Sequence, residues 1–368
     1  MDLAETTPAF YLVNMFNPVH ITSARATCAQ DTFSNNNLPE NIKVFEQNIL
    51  NYHEPDYRQY FTIMQLRRMT RIIKIGLVTA IEALKDAKLE QPQAIVTGTA
   101  KGSMTDTEKF LHDIVDFNEG TLNPTAFIQS TYNALNGLIA LHHDANGYNS
   151  TYVHRGFSLE NSLMDAIMLF EENRIENALI GCFEEMTAEH YELKKKMGYW
   201  KNESMKNIDL LNSSTEGTIA GEGTFFFTLN KAPENAIAKL SGLRMLYNAD
   251  EALVKTTFNN FLAEHSLELN EVDAVFLSYN GNIQTRHFED AISEQLSSNT
   301  NQLAFKHLCG EFDTAAGFAL WAATKALQHQ VLHPSLILKK GTSSSLKNVI
   351  IYNQYNGKEH AFYLLERI

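Results

Sequence analysis

Cysteine is scarce in this sequence: Cys28, Cys182 and Cys309 are spread over 368 positions. Spacing that wide argues against a disulfide framework and a zinc ribbon, and reduced thiols place the chain in the cytoplasm. Proline is also sparse, at 8 residues, while 44% of the chain is hydrophobic and 20% charged. That balance suits a compact globular protein with a large core and little disorder. No apolar run approaches the ~20 residues of a membrane-spanning helix. The start, MDLAETTPAFYLVNMF, lacks the basic region and small-residue cleavage site of a signal peptide. Positive charge is short as well. The formal net charge of −13 disfavours general nucleic-acid binding and makes an acidic partner a poor match for the surface as a whole. Docking one requires a local basic patch.

What is present is organised around 149–186, NSTYVHRGFSLENSLMDAIMLFEENRIENALIGCFEEM. The β-branched stretch 150–153 reads as strand and Gly156 as a tight turn. Leu159, Leu163, Ala166, Ile167 and Phe170 recur at helical spacing behind Ser158 as N-cap. The apolar run 178–182 is a buried strand closed by Glu184 and Glu185. A strand entering a helix through such a turn presents backbone N–H groups and a positive dipole end there, a field that favours a thiolate or an oxyanion.

Along the rest of the chain, 9–16 is a strand candidate, 20–55 is irregular, and 60–88 reads as one long helix. A buried strand over 94–99 ends in Thr97-Gly98-Thr99. The segment 123–137, NPTAFIQSTYNALNG, is apolar at helical spacing. Residues 187–217 read as a surface excursion whose lysines 194–196 form a solvated face. Strands are expected over 224–229, 274–279, 303–307, 349–352 and 361–366, and helices over 250–265, 286–296 and 314–328. Asn356-Gly357 marks a hairpin turn. Alternating strands and helices in both halves argue for an α/β layered fold, and no literal repeat is visible.

Several stretches resemble β-ketoacyl synthases. Arg67-Arg68-Met69-Thr70-Arg71 is similar to an Arg-Arg-Met-x-Arg helix, and Gly221-Glu222-Gly223 to the motif closing that family's first half. The segment 123–137 resembles ketosynthases of aryl-polyene, flexirubin and dialkylresorcinol pathways. The resemblance implies a thiolase fold, layered αβαβα with two similar halves, divided here as 1–232 and 233–368 within one compact unit. In the family a Cys opens the elbow helix. Counting back from Gly181-Cys182-Phe183-Glu184, that position is Gly156, and 29–181 contains no cysteine. The two family histidines, expected in Leu277-Ser278-Tyr279-Asn280-Gly281-Asn282 and in Lys306-His307-Leu308-Cys309-Gly310-Glu311, are Asn280 and Glu311. Lys306 is kept. The loop that normally reads Gly-Phe-Gly-Gly is Asn353-Gln354-Tyr355-Asn356-Gly357.

The expectation is therefore a non-catalytic subunit of chain-length-factor type. Its partners by resemblance are an active ketosynthase in a heterodimer, or a second copy in a homodimer, and acyl carrier protein; no cofactor or metal is called for. Phe127, Gln129, Tyr132, Asn133 and Leu135 are the residues expected at the interface and acyl pocket. A relocated acyl-transferring or thioester-hydrolysing site could draw on His154, Ser158 or Cys309. The plainer roles of those three are a structural imidazole, a helix cap and a small buried thiol. A homodimeric acyl-binding scaffold is the third reading.

Overall fold

The structure is a computed structural model and describes residues 10–11 and 16–368. Its first-half strands are β1 (Phe10–Tyr11), β2 (Val19–Thr27), β3 (Ile49–Leu50), β4 (Ala94–Gly98), β5 (Tyr148–Tyr152), β6 (Asn177–Glu184), β7 (Ala220–Gly221) and β8 (Gly223–Asn230). The second half has β9 (Ala238–Tyr247), β10 (Ala274–Leu277), β11 (Asn301–Ala304), β12 (Ile337–Lys339), β13 (Asn348–Tyr355) and β14 (Glu359–Glu366). The strand expected over 9–16 lies mostly outside the described residues; Phe10 and Tyr11 pair with Leu246 and Met245 of β9.

The strand order runs β5-β4-β6-β8-β2 in one half and β11-β10-β13-β14-β9 in the other. In each, the first three strands are parallel and the next two join antiparallel. The halves thus repeat one topology without repeating a sequence, and antiparallel pairing of β2 with β9 joins them into one sheet.

Side-chain alternation builds the layers, because successive strand residues face opposite ways. Ala178, Ile180 and Cys182 of β6, with Phe225 and Phe227 of β8, enter a central cluster. Leu179, Phe183 and Phe226 face an outer one. In the second half Val349 and Ile351 point to the same centre, and Ile350 and Tyr352 point outward. The central layer holds the helices Ser158–Glu171 and Ala316–His329; the outer layers hold Arg71–Asp86 on one side and Glu251–Glu264 on the other. Helix, sheet, helix pair, sheet, helix is the expected layered α/β arrangement.

Two expected helices are broken. In place of one helix over 60–88 there are two, Ile63–Leu66 and Arg71–Asp86. The first is opened by a capping box between Thr62 and Gln65 and ends after one turn at Arg67, and Arg71 turns inward to the Glu222 carboxylate. The segment 123–137 divides into Pro124–Ser130 and a helix Ala134–His142, because Thr131 is extended, with ψ of 137°. The Asn356-Gly357 turn forms as expected, with φ of 54° and 64°. Both residue types tolerate that left-handed region, which matches the twist of the β13–β14 hairpin.

Candidate functional site

Strand β5 leads into a single 3₁₀ turn, Arg155–Phe157, and then the buried helix Ser158–Glu171. The left-handed residue in this elbow is Arg155, with φ of 45°, so Gly156 is not required by its backbone angle. Space requires it. A Cβ on Gly156 meets Glu359 Oε2 at 2.6 Å and Tyr355 Cβ at 2.7 Å. The Gly156 N–H donates to Glu359 Oε2 at 3.2 Å, so a carboxylate from the β13–β14 hairpin takes up one of the elbow's N–H groups. Burial pushes the Glu359 carboxyl up to about 7.

Ser158 begins the helix, but its hydroxyl serves the elbow, accepting from His154 N at 2.9 Å and donating to Arg155 O at 2.8 Å. The expected cap is thus a clasp across the turn. His154 faces outward, with its ring stacked on Phe157 at 5.7 Å. Cys309 is fully buried, its thiol pushed well above the usual range by burial and directed at Gly310 O. None of these three pairs a nucleophile with a base.

Asn280 and Glu311, far apart in sequence, come together. Asn280 Nδ2 donates to Glu311 Oε2 at 2.8 Å, and Asn280 Oδ1 accepts from Asn282 N at 3.0 Å. Lys306 Nζ donates to both Glu311 oxygens, at 2.9 and 2.8 Å, and to Gln354 O at 2.8 Å. An ammonium has three protons, and all three are engaged. The pair is buried, with Lys306 at 0% side-chain exposure and Glu311 at 4%. Gly310 supports this turn at φ 78°, where a Cβ would meet the backbone of Ala220 and Gly221. The network is closed: a carboxylate faces the centre, and its donors are already in use.

Beside it lies a cluster that the sequence did not reveal. Lys194 belongs to the expected solvated lysine face, yet it is buried. Its helix, Ala188–Lys196, leaves Lys195 and Lys196 exposed and turns Lys194 inward. There Nζ donates to Tyr355 Oη at 3.0 Å and lies 3.6 Å from Asp313, which also pairs with Lys101 at 3.3 Å. The rings of Tyr199, Trp200 and Tyr355 surround the same ammonium, replacing part of its lost hydration. Two cations hold the Asp313 carboxyl below its ordinary value although its burial opposes this. Glu184, at the end of β6, is pushed up to about 8 by burial and by Asp313.

Motifs read separately in sequence meet here. The Glu222 carboxylate takes the Arg71 guanidinium in a bidentate pair at 2.9 and 2.5 Å, and accepts Tyr52 N and Met186 N. Of the segment 123–137, Phe127, Gln129, Tyr132 and Asn133 lie on the surface, and Gln129 donates to Arg68 O. Leu135 turns into the outer core against Gly76. The visible signals for Glu359 and Lys194 were the hairpin turn next to one and the aromatic pair Tyr199–Trp200 near the other, and neither specifies a site.

Residues 46–204 match the family model described as beta-ketoacyl synthase, N-terminal domain. No curated protein sequence matches the chain. Among solved structures, a beta-ketoacyl synthase from Burkholderia phymatum STM815 superposes with a TM-score of 0.77 at 12% identity, covering 95% of this chain and 99% of that one. The ishigamide ketosynthase/chain length factor gives 0.76 at 15%, covering 96% and 100%. AntDE:AntF, a type II polyketide synthase acyl-carrier protein in complex with its ketosynthase bound to the hexaketide, gives 0.76 at 14%, again covering 96% and 100%. The chain has the β-ketoacyl synthase fold, with the family's N-terminal domain matched over residues 46–204.

Proposed function

We propose that this chain is a non-catalytic, chain-length-factor-type subunit. It pairs with an active β-ketoacyl synthase during elongation of a chain carried on acyl carrier protein, in fatty-acid, polyene or polyketide-type synthesis. One observation carries the reading. Lys306, Glu311 and Asn280 satisfy one another in a buried network, where the family's chemistry needs free imidazole donors facing an enolate. Gly156, which offers no nucleophile, adds to it. A cytoplasmic setting agrees with three free thiols.

Pairing is supported by the position of β5 at the end of the sheet, since an outer strand has unpaired backbone groups to offer. Phe127, Ile128 and Tyr132 add exposed apolar area, more than isolated surface residues need. Arg67 and Arg68 are exposed next to this segment and supply a local basic patch on an acidic protein.

The test is reconstitution with a cysteine-containing ketosynthase. Phe127→Ala or Tyr132→Ala is expected to lengthen the products, read by mass spectrometry, while the pair still assembles. Unchanged product length in an assembled pair removes the chain-length role and favours a scaffold. Incubated alone with acyl-loaded carrier protein, the chain is expected to show no adduct by intact mass; stoichiometric acylation of Ser158 or Cys309 would establish the enzyme reading instead.

A further inference from the structure

Glycine follows asparagine four times in this chain, at Asn136-Gly137, Asn146-Gly147, Asn280-Gly281 and Asn356-Gly357. Such a pair invites attack of the glycine nitrogen on the asparagine side chain, because no Cβ shields that nitrogen. Attack needs a free amide nitrogen and a side chain at liberty to swing over it. The fold withholds one or both at three of the four pairs. Asn136 is buried, accepts from Thr97 Oγ1 at 2.6 Å and donates to Ser150 O at 2.7 Å, and Gly137 N is bonded to Asn133 O. The Asn280 amide is held at both ends, by Glu311 and by Asn282 N. Asn356 is exposed, but the Gly357 N–H donates to Gln354 Oε1 at 2.7 Å. Asn146-Gly147 differs. Both residues are exposed between the helix Ala134–His142 and β5, and among the described residues the Gly147 N–H has no hydrogen-bond partner. The Asn146 amide makes one bond, from Nδ2 to Asp144 O at 3.2 Å. A Cβ on Gly147 would collide with the Gln93 carbonyl oxygen, so packing keeps a glycine at this point.

We propose that Asn146-Gly147 is a self-modification site, at which water converts Asn146 to isoaspartate. Gly147 N gives up its proton and bonds to Asn146 Cγ, and the side-chain nitrogen leaves with that proton as ammonia. The resulting cyclic imide is opened by one water. Opening at the main-chain carbonyl reroutes the backbone through Cβ and leaves a free carboxylate, whereas opening at Cγ gives ordinary aspartate. One water enters, one ammonia leaves, and nothing is oxidised or reduced. Isoaspartate adds one main-chain carbon and one negative charge just before β5, whose first residue donates from Tyr148 N to Gln93 O at 3.0 Å. The site stands whether or not β5 is the pairing edge.

The test is incubation of the full-length chain at mildly alkaline pH, followed by peptide mapping by mass spectrometry. Isoaspartate is read separately, by methyl transfer from S-adenosylmethionine with an isoaspartyl methyltransferase. The Asn146 peptide is expected to show the amide-to-acid mass change first and to accept methyl groups. Asn356 is expected to react roughly tenfold more slowly, because its attacking N–H must first give up a hydrogen bond. Asn136 and Asn280 are expected to react more slowly still. In concentrated urea, where the fold no longer separates them, the four rates are expected to converge. Asn146→Gln is expected to remove the methyl acceptor from the folded chain. Equal folded-state rates at Asn146 and Asn356 overturn the proposal, as does earlier reaction at Asn136 or Asn280. So does conversion of Asn146 to aspartate alone, with no methyl acceptance, or methyl acceptance undiminished in Asn146→Gln.

Discussion

Gly156 shows how packing, and not a backbone angle, can require a glycine. Its N–H binds the Glu359 carboxylate, and the hairpin side chains fill the space where a side chain on Gly156 would project. Gly156→Cys is therefore expected to fail twice. Overpacking against Tyr355 and Glu359 should cost about 1–3 kcal/mol, seen as a lower urea midpoint, and Glu359→Ala in the same protein should recover much of it. The variant should also not condense malonyl units. Asn280 and Glu311 remain, and losing one such donor typically costs about 10²–10³ in rate. Condensation at a normal ketosynthase rate by Gly156→Cys alone would mean that the elbow is misassigned.

Three elements meet at Lys306: the loop after β10, the short helix that Lys306 opens, and the end of β13. Their docking depends on a buried ion pair, and such a pair is weak evidence for stability but costly to break halfway. Glu311→Gln leaves the Lys306 charge buried without its counter-ion, and Lys306→Met does the same to Glu311. Each is expected to destabilise by about 3–5 kcal/mol. The double change Lys306→Met with Glu311→Gln removes both charges and should cost less than either single one. A urea double-mutant cycle reads this coupling, and additive single effects would show that the pair does not act as a unit. Lys194 plays the same kind of part between its helix and the hairpin, tied to Tyr355 and Asp313.

Across the whole molecule, buried carboxyls give stability an unusual pH dependence. Glu160 is fully buried, with one oxygen bonded to Tyr363 and the other unpartnered, and burial pushes it from 4.5 up to about 7. Glu289 and Glu185 are also raised to about 7. A carboxyl whose pKa is higher folded than unfolded contributes its stability in full below the unfolded value and loses it as pH rises through the folded one. His307 and His360, lowered to about 4, act on the other side: their contribution is present above 6.5 and lost as pH falls towards 4. Urea stability is expected to decline from pH 6 to pH 8, and Glu160→Gln to flatten that decline by on the order of 1 kcal/mol. An identical slope in Glu160→Gln would place the Glu160 titration elsewhere.

The layered α/β class, the turn from β5 into the helix Ser158–Glu171 and the hairpin turn were legible in the amino-acid order. Period-2 and period-3.6 apolar spacing, turn chemistry and short motifs are local properties and survive without coordinates. The family resemblance carried the two-halved layering that local patterns do not contain. Helix breaks at Arg67–Thr70 and at Thr131–Asn133 were not legible, because an apolar periodicity runs through both, and neither the pairing of Arg71 with Glu222 nor the extended backbone of Thr131 shows in it. Nor was the reason for Gly156. A glycine in a turn suggests a backbone angle, but the angle belongs to Arg155, and the crowding comes from residues about 200 positions away. Lys194 and Lys195 are neighbours of the same type in one run; only the packing of their helix sends one to Asp313 and the other to water. Long-range proximity, and the pKa shifts that burial then imposes, arise when distant strands close over the same space, and no local pattern encodes that.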